Sequence, residues 1–194
     1  STTERTPRCI NIIVDCSGSM SGDSIDQAGK ALYEILELLR PEDMFNVVRF
    51  GSSYQRLFSS PMPADSGNLK TAKKLLEVLD ADMGGTRIEQ AVTEAIKGSN
   101  HSELSQEMLL ITDGEVWDWD NVTKMVAGSG VRIFTVGVGS SVSEAFLQTL
   151  ADVTGGACEL VSPNENMAEK IVRHFKRIYF SQGRKCENLL ARRA

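Results

Sequence analysis

The chain has 194 residues, a net charge of −5, 41% hydrophobic residues and 6% aromatic residues. This length suits one domain of ordinary size. The hydrophobic share is sufficient for a buried core, which excludes disorder as the main state. No stretch approaches the roughly 18 uninterrupted apolar residues that a membrane-spanning helix needs.

Charge is unevenly distributed along the chain. The segment 169–194 contains 8 basic and 2 acidic residues, so the remainder carries a net charge of −11. An acidic body argues against general nucleic-acid binding, which needs a basic face, and it favours cation binding. The basic end is interpreted as a solvated helix face followed by a tail. No targeting segment is recognisable, so the compartment stays open between the cytoplasm, which we favour, and the cell envelope.

The predicted elements alternate between strands and helices. The continuous apolar run 9–14 predicts a strand buried on both faces. The spacing of Ser24 and Gln27 predicts a capping box at the start of the next helix. The link between the strands 44–50 and 54–58 is so short that this pair must be antiparallel. Strands are predicted at 9–14, 44–50, 54–58, 108–112, 131–136 and 157–161, and helices within 25–39, 69–79, 88–96, 122–126, 146–153 and 167–179.

Alternation of this kind predicts an α/β fold, a doubly wound, Rossmann-like arrangement. We expect a mostly parallel six-stranded sheet with one antiparallel edge strand and helices on both faces. The domain is expected to span residues 8–180, between a flexible N-terminal segment at 1–7 and a basic C-terminal tail at 181–194.

Three polar clusters interrupt this pattern at the ends of predicted elements. The first contains Asp15, Ser17 and Ser19 directly after the first strand, the second is 84–86 (Gly-Gly-Thr), and the third is 112–114 (Thr-Asp-Gly). Ligands of doubly wound sheets bind at the carboxyl ends of the strands. We therefore expect the three loops to meet at this edge of the sheet.

The five candidate ligands are Asp15, Ser17, Ser19, Thr86 and Asp113. Their carboxylate and hydroxyl oxygens are hard ligands that suit Mg²⁺, Mn²⁺ or Ca²⁺. Five such side chains leave at least one position on the cation open. The Asp or Glu carboxylate of a protein partner is the expected ligand for that position.

The pattern Asp15-x-Ser17-x-Ser19, together with Thr86 and Asp113, resembles the metal-ion-dependent adhesion site (MIDAS) of the von Willebrand factor A domain, over about residues 8–180. The loop sequences are most similar to VIT-associated members, such as inter-α-trypsin inhibitor heavy chains and bacterial relatives. The resemblance implies that Ser17 and Ser19 bind the cation directly and that Asp15 and Asp113 act partly through water. Thr86 would alternate between direct and water-mediated contact.

Simpler roles remain open for the same residues. Ser17 and Ser19 could be ordinary turn residues, and Asp113 could belong to a plain turn. Thr86 and Glu89 have the spacing of a capping box, so Thr86 could act as the N-cap of its helix.

The candidate partner-binding residues border the same edge. They are Met20, Arg87, Glu115, Trp117 and Trp119. Tryptophan is enriched among interface hot spots, although both tryptophans could instead anchor the helix below them. Arg87 could face solvent, and Glu115 could form a local salt bridge.

The function predicted from these features is a non-enzymatic, cation-dependent protein-binding module, expected to be monomeric. One alternative is a structural domain in which the metal stabilises loops inside a larger assembly. Another is a metal-assisted phosphohydrolase with Glu115 as general base. The four cysteines have no metal-binding spacing, and a bridge between Cys9 and Cys186 is an alternative to free thiols.

Overall fold

The first strand occupies the centre of the sheet. In a computed structural model, which describes residues 6–98, 103–114, 119–139, 143–164 and 166–180, β1 (Arg8–Asp15) is buried along its whole length. It pairs in parallel with β2 (Met44–Phe50) on one side and with β5 (Ser105–Thr112) on the other. A strand covered on both faces has no solvent side, which explains why the positions between Arg8 and Asp15 are apolar except for Asn11.

The described residues form one sheet of seven strands, six of which lie side by side in the order β3 (Tyr54–Arg56), β2, β1, β5, β6 (Arg132–Val138) and β7 (Cys158–Val161), while the seventh pairs with β2 beside β3. The remaining parallel strands are β6 and β7. β3 pairs antiparallel with β2, as predicted. The two-residue strand β4 (Met62–Pro63) also pairs antiparallel with β2 and was not predicted, because a run of two residues has no periodicity.

Helices cover both faces of the sheet, which confirms the predicted architecture. One core cluster joins the sheet to three helices on one face, and a second cluster joins it to three on the other. On the first face lie α1 (Asp23–Leu38), α2 (Ser66–Glu77) and α6 (Met167–Phe180). On the second lie α3 (Ile88–Lys97), α4 (Trp119–Ala127) and α5 (Glu144–Thr154).

The capping box predicted at Ser24 is wrong. The N-cap of α1 is Gly22, which has a φ of 85°, and no side chain forms a capping hydrogen bond there. Ser24 is instead buried within the first helical turn. Glycine suits this position because the left-handed region carries no steric penalty for a residue without a Cβ atom.

A buried polar cluster at the amino-terminal ends of the central strands fixes the end of α6. The Tyr179 hydroxyl donates to the Asp43 carboxylate, which also accepts from the backbone N–H of Arg8 at 3.1 Å. The Arg8 guanidinium pairs with Glu107 at 3.3 Å. The last helix is therefore tied to the starts of the central strands.

The predicted segments at the two ends of the chain fall largely outside the described residues. Residues 1–5 and 181–194, which cover most of the expected N-terminal segment and the whole expected tail, lie outside the described residues. Within the described ranges, none of the helices combines the length and the apolar character required to cross a membrane.

Candidate functional site

Asp15 forms the buried base of the candidate site. It is the last residue of β1 and has no exposed surface. One carboxylate oxygen, Oδ1, accepts from the backbone N–H of Ser17 at 2.8 Å, and Oδ2 accepts from the Thr112 hydroxyl at 2.7 Å. Because both oxygens have a donor, the carboxylate is held in one orientation, as a buried charge requires.

The network continues from Asp15 toward the surface. The hydroxyl oxygens of Ser17 and Ser19 lie 3.1 Å apart, and the Ser19 hydroxyl donates to Oδ1 of Asp113 at 2.9 Å. Ser17 is buried and Ser19 is exposed. Four predicted ligands therefore form one hydrogen-bonded path from the protein interior to solvent, which runs from Asp15 through the backbone N–H of Ser17 and then through the side-chain oxygens of Ser17, Ser19 and Asp113.

The two carboxyl groups influence one another. Burial raises the pKa of the Asp113 carboxyl above its ordinary value, the hydrogen bond from Ser19 opposes this shift, and the nearby Asp15 carboxylate adds to it. A cation would relieve the repulsion between the two carboxylates, since an opposite charge favours the ionised form.

Thr86 lies against the loop that follows β5. A Cβ atom added to Gly114 would be only 2.6 Å from the Thr86 methyl carbon, so the two residues touch and a larger side chain at 114 would displace Thr86. The N-cap of α3 is Arg87, and no side chain caps that helix. The alternative role of Thr86 as an N-cap is therefore wrong.

Of the predicted partner-binding residues whose side chains are described, one is buried in the core and one is exposed beside the site. Met20 is fully buried in the core under α1, so its assignment to a partner-binding surface is corrected to core packing. Arg87 is exposed next to Thr86. Glu115 and Trp117 lie outside the described residues, and Trp119 begins α4 with its side chain outside the described part.

Two of the cysteines, one beside the site and one at the other end of β1, pack in the interior. Cys16, between Asp15 and Ser17, is fully buried, and burial raises the pKa of its thiol to about 12. Burial also raises the pKa of Cys9 to about 11. Cys9 is a free thiol, which contradicts the alternative of a bridge from Cys9 to Cys186.

Two supporting residues were not assigned a role from the sequence. Thr112 bonds Asp15 and also accepts from the backbone N–H of Gly114 at 3.0 Å. Ser52, in the turn between β2 and β3, accepts from the backbone N–H of Gly85 at 2.7 Å. Thr112 could have been noticed as the hydroxyl beside Asp113, whereas no local signal distinguishes Ser52 from the neighbouring Ser53.

The donor set consists of hydroxyl and carboxylate oxygens. No group of three or more histidine, cysteine, aspartate or glutamate side chains is positioned to hold a metal ion within the described ranges. Any cation here would depend on the serine and threonine hydroxyls beside the two carboxylates, which are ligands for hard cations.

Comparisons with known proteins agree with this fold. A family model described as the von Willebrand factor type A domain matches residues 9–160. A von Willebrand factor A domain-containing protein of Dictyostelium discoideum is 32% identical over 163 residues, which are 83% of this chain and 18% of that protein. The chain thus spans about a fifth of the length of the curated relatives it matches.

Two solved structures extend the comparison. A von Willebrand factor type A protein from Catenulispora acidiphila superposes with a TM-score of 0.78 at 22% identity, covering 87% of this chain and 42% of that one. Proximal thread matrix protein 1 from the mussel byssus, with a zinc-occupied MIDAS motif, gives a TM-score of 0.69 at 17% identity, covering 87% and 46%. At these identities the structures support the fold alone. Because the family model matches residues 9–160, the chain belongs to the von Willebrand factor type A domain family.

Proposed function

We propose that this domain binds a protein partner through a divalent cation held by Asp15, Ser17, Ser19, Thr86 and Asp113. Mg²⁺ is the favoured cation, with Mn²⁺ and Ca²⁺ as alternatives. Domains of this family generally act as protein-interaction modules, which supports the broader part of the proposal.

The clustering of hydroxyl and carboxylate oxygens from distant parts of the chain is the observation that carries the proposal. Neighbouring oxygens in the path from Ser17 through Ser19 to Asp113 lie 3.1 and 2.9 Å apart. Adjacent ligands of an octahedral cation with bonds of about 2.0–2.1 Å are separated by about 2.9 Å. The oxygens of Ser17, Ser19 and Asp113 therefore match a small, hard dication in chemistry. Their hydrogen-bonded separations equal the distance between adjacent ligands of such a cation, so it could replace the hydrogen bonds without a large movement of these three side chains.

Each residue would contribute a distinct property. Ser17 and Ser19 supply neutral oxygens, so the cation would keep most of its charge. Asp15 supplies a carboxylate whose orientation is already held by Thr112 and by the backbone N–H of Ser17. When bound, the cation supplies a positive centre that attracts an incoming carboxylate.

The partner would approach from the exposed end of the path. Ser19 is exposed, and Arg87 next to Thr86 is also exposed, where its guanidinium could pair with a second acidic group on the partner. An Asp or Glu of the partner is the proposed ligand for the remaining cation position. Glu115, Trp117 and Trp119 stay predicted as further contacts.

The test combines cation titration with peptide binding. Isothermal titration with MnCl₂ should give one site in the wild-type domain, no measurable site in Asp15→Ala, and an unchanged site in the control Asp152→Ala, an exposed aspartate on α5 that bonds Gln148. Arrayed peptides containing Asp or Glu should bind in Mn²⁺ and lose binding in EDTA. Their Asn and Gln counterparts should not bind in either condition.

Two results would contradict the proposal in different ways. A wild-type domain that binds no Mn²⁺, or equal binding by Asp15→Ala, would exclude the proposed cation site. Cation binding that raises thermal stability without any carboxylate-dependent peptide binding would instead support the structural role of the metal.

A further inference from the structure

Hydrogen bonds between residues that are not candidate metal ligands join two loops of the site. We use the name clamp for residues 51–52, in the turn after β2, which bond the segment 83–87 that carries Thr86. The backbone N–H of Ser52 donates to the Met83 carbonyl at 2.8 Å, and the backbone N–H of Arg87 donates to the Gly51 carbonyl at 2.8 Å. The Ser52 hydroxyl accepts from the Gly85 N–H at 2.7 Å.

The glycines at this contact explain how the backbones come so close. A Cβ atom on Gly51 would lie 2.3 Å from the Met83 carbonyl oxygen, closer than any real contact permits. Gly84 has a φ of +78°, and a Cβ atom there would lie 2.7 Å from the Ser52 hydroxyl oxygen. The Gly-Gly pair before Thr86 is therefore matched to Ser52, independently of any metal.

The same segment is bonded on its other side to the loop that carries Ser17 and Ser19. The backbone N–H of Gly18 donates to the Gly84 carbonyl at 2.9 Å, and the N–H of Met83 donates to the Cys16 carbonyl at 3.0 Å. The segment 83–87 thus lies between the clamp and the first polar loop. Its position sets where Thr86 lies relative to the other candidate ligands.

We infer that Ser52 is a positioning residue for Thr86. Its hydroxyl bonds the residue directly before Thr86, so its loss frees the Gly85 backbone and lets the Thr86 oxygen move away from the other ligands. The inference rests on the proposed cation site, for which it adds a supporting residue that does not itself contact the cation.

The test compares two adjacent serines. Ser52 and Ser53 are both exposed, but it is the Ser52 hydroxyl that accepts the Gly85 N–H. In the metal-free protein, Ser52→Ala should speed hydrogen exchange of the Gly85 amide about fivefold, the factor that one net hydrogen bond represents. It should weaken Mn²⁺ binding by a similar factor. Ser53→Ala should change neither quantity, and Ser52→Thr, which keeps the hydroxyl, should retain both.

The outcomes separate this inference from the proposed function. A wild-type domain without Mn²⁺ binding overturns the proposed function, and the positioning role with it, before any variant is made. If the wild type binds Mn²⁺ but Ser52→Ala binds it equally well, the inference alone is overturned, whether or not Gly85 exchange has changed. Faster exchange together with weaker Mn²⁺ binding in Ser52→Ala, but not in Ser53→Ala, supports it.

Discussion

Replacing Thr112 by valine should destabilise the metal-free domain more than an equivalent substitution elsewhere in the core. Valine has nearly the shape of threonine, so the change removes the hydroxyl with little change in packing. It removes the donor to Asp15 at 2.7 Å and the acceptor for the Gly114 N–H at 3.0 Å. The Asp15 carboxylate is fully buried, so the oxygen that loses its donor cannot turn toward bulk water.

The magnitude follows from the two lost bonds. A hydrogen bond to a charged group contributes about 1.5–3 kcal/mol, and a neutral one about 0.5–1.5 kcal/mol. Together they predict a loss of about 3 kcal/mol in the free energy of unfolding. For a domain of this size, that loss lowers the melting temperature by about 6–12 °C.

Thr135 provides the matched control. It is also fully buried, lies on the next strand of the sheet, β6, and donates to the Leu147 carbonyl at 3.1 Å. Since this acceptor is neutral, Thr135→Val should cost only about 1 kcal/mol. Urea denaturation in EDTA, followed by far-ultraviolet circular dichroism, measures both variants against the wild type.

A clear result would refute this reasoning. If Thr112→Val and Thr135→Val cost the same within about 0.5 kcal/mol, the Asp15 carboxylate does not depend on Thr112 for its burial. If Thr112→Val melts at the same temperature as the wild type, Asp15 must have another hydrogen-bond donor in the folded protein.

Three further predictions follow from the pKa shifts. The raised pKa of Asp113 makes its ionised form unfavourable in the folded, metal-free domain. Asp113→Asn should therefore raise the free energy of unfolding at pH 7 in EDTA. Urea denaturation midpoints should show this gain shrinking as the pH falls toward 3.8. Burial lowers the pKa of His174 below 6.5, against the opposing effect of Glu159. The domain should therefore lose stability as the pH falls below 6.5. In the same urea assay, His174→Gln should lose less stability than the wild type between pH 7 and pH 5. The raised pKa values of Cys9 and Cys16 should leave both thiols unmodified by iodoacetamide at pH 8 until urea unfolds the domain, as residue-resolved mass spectrometry would show.

Much of the fold could be predicted because its signals are local. The apolar run of β1 and the helical spacing of α1 each lie within one stretch of chain, and both elements formed where expected. Parallel pairing followed from the alternation of strands and helices. The strand β4 was missed, and the start of α1 was misassigned to Ser24, because a two-residue bridge and a glycine N-cap leave no periodic pattern.

Met20 shows the limit of the same reasoning at the candidate site. It lies one residue after Ser19 in the chain, which favoured a surface position. A short 3₁₀ turn at Gly18–Met20 directs the Met20 side chain into the core, while Ser19 stays exposed. One residue of rotation in a tight turn thus separates a core residue from a surface residue, and composition does not report that rotation.

By itself, the sequence determined which residue types stand at the carboxyl ends of the strands, and so the chemistry available there. Only the tertiary structure decided which distant residues support them. Thr112 is 97 residues from Asp15, and the parallel register that pairs Val14 with Ile111 brings the two together. Ser52 is 33 residues from Gly85 and meets it through a turn of the neighbouring hairpin. Such contacts depend on strand register and loop path, which are set by packing across the whole domain and not by any local pattern.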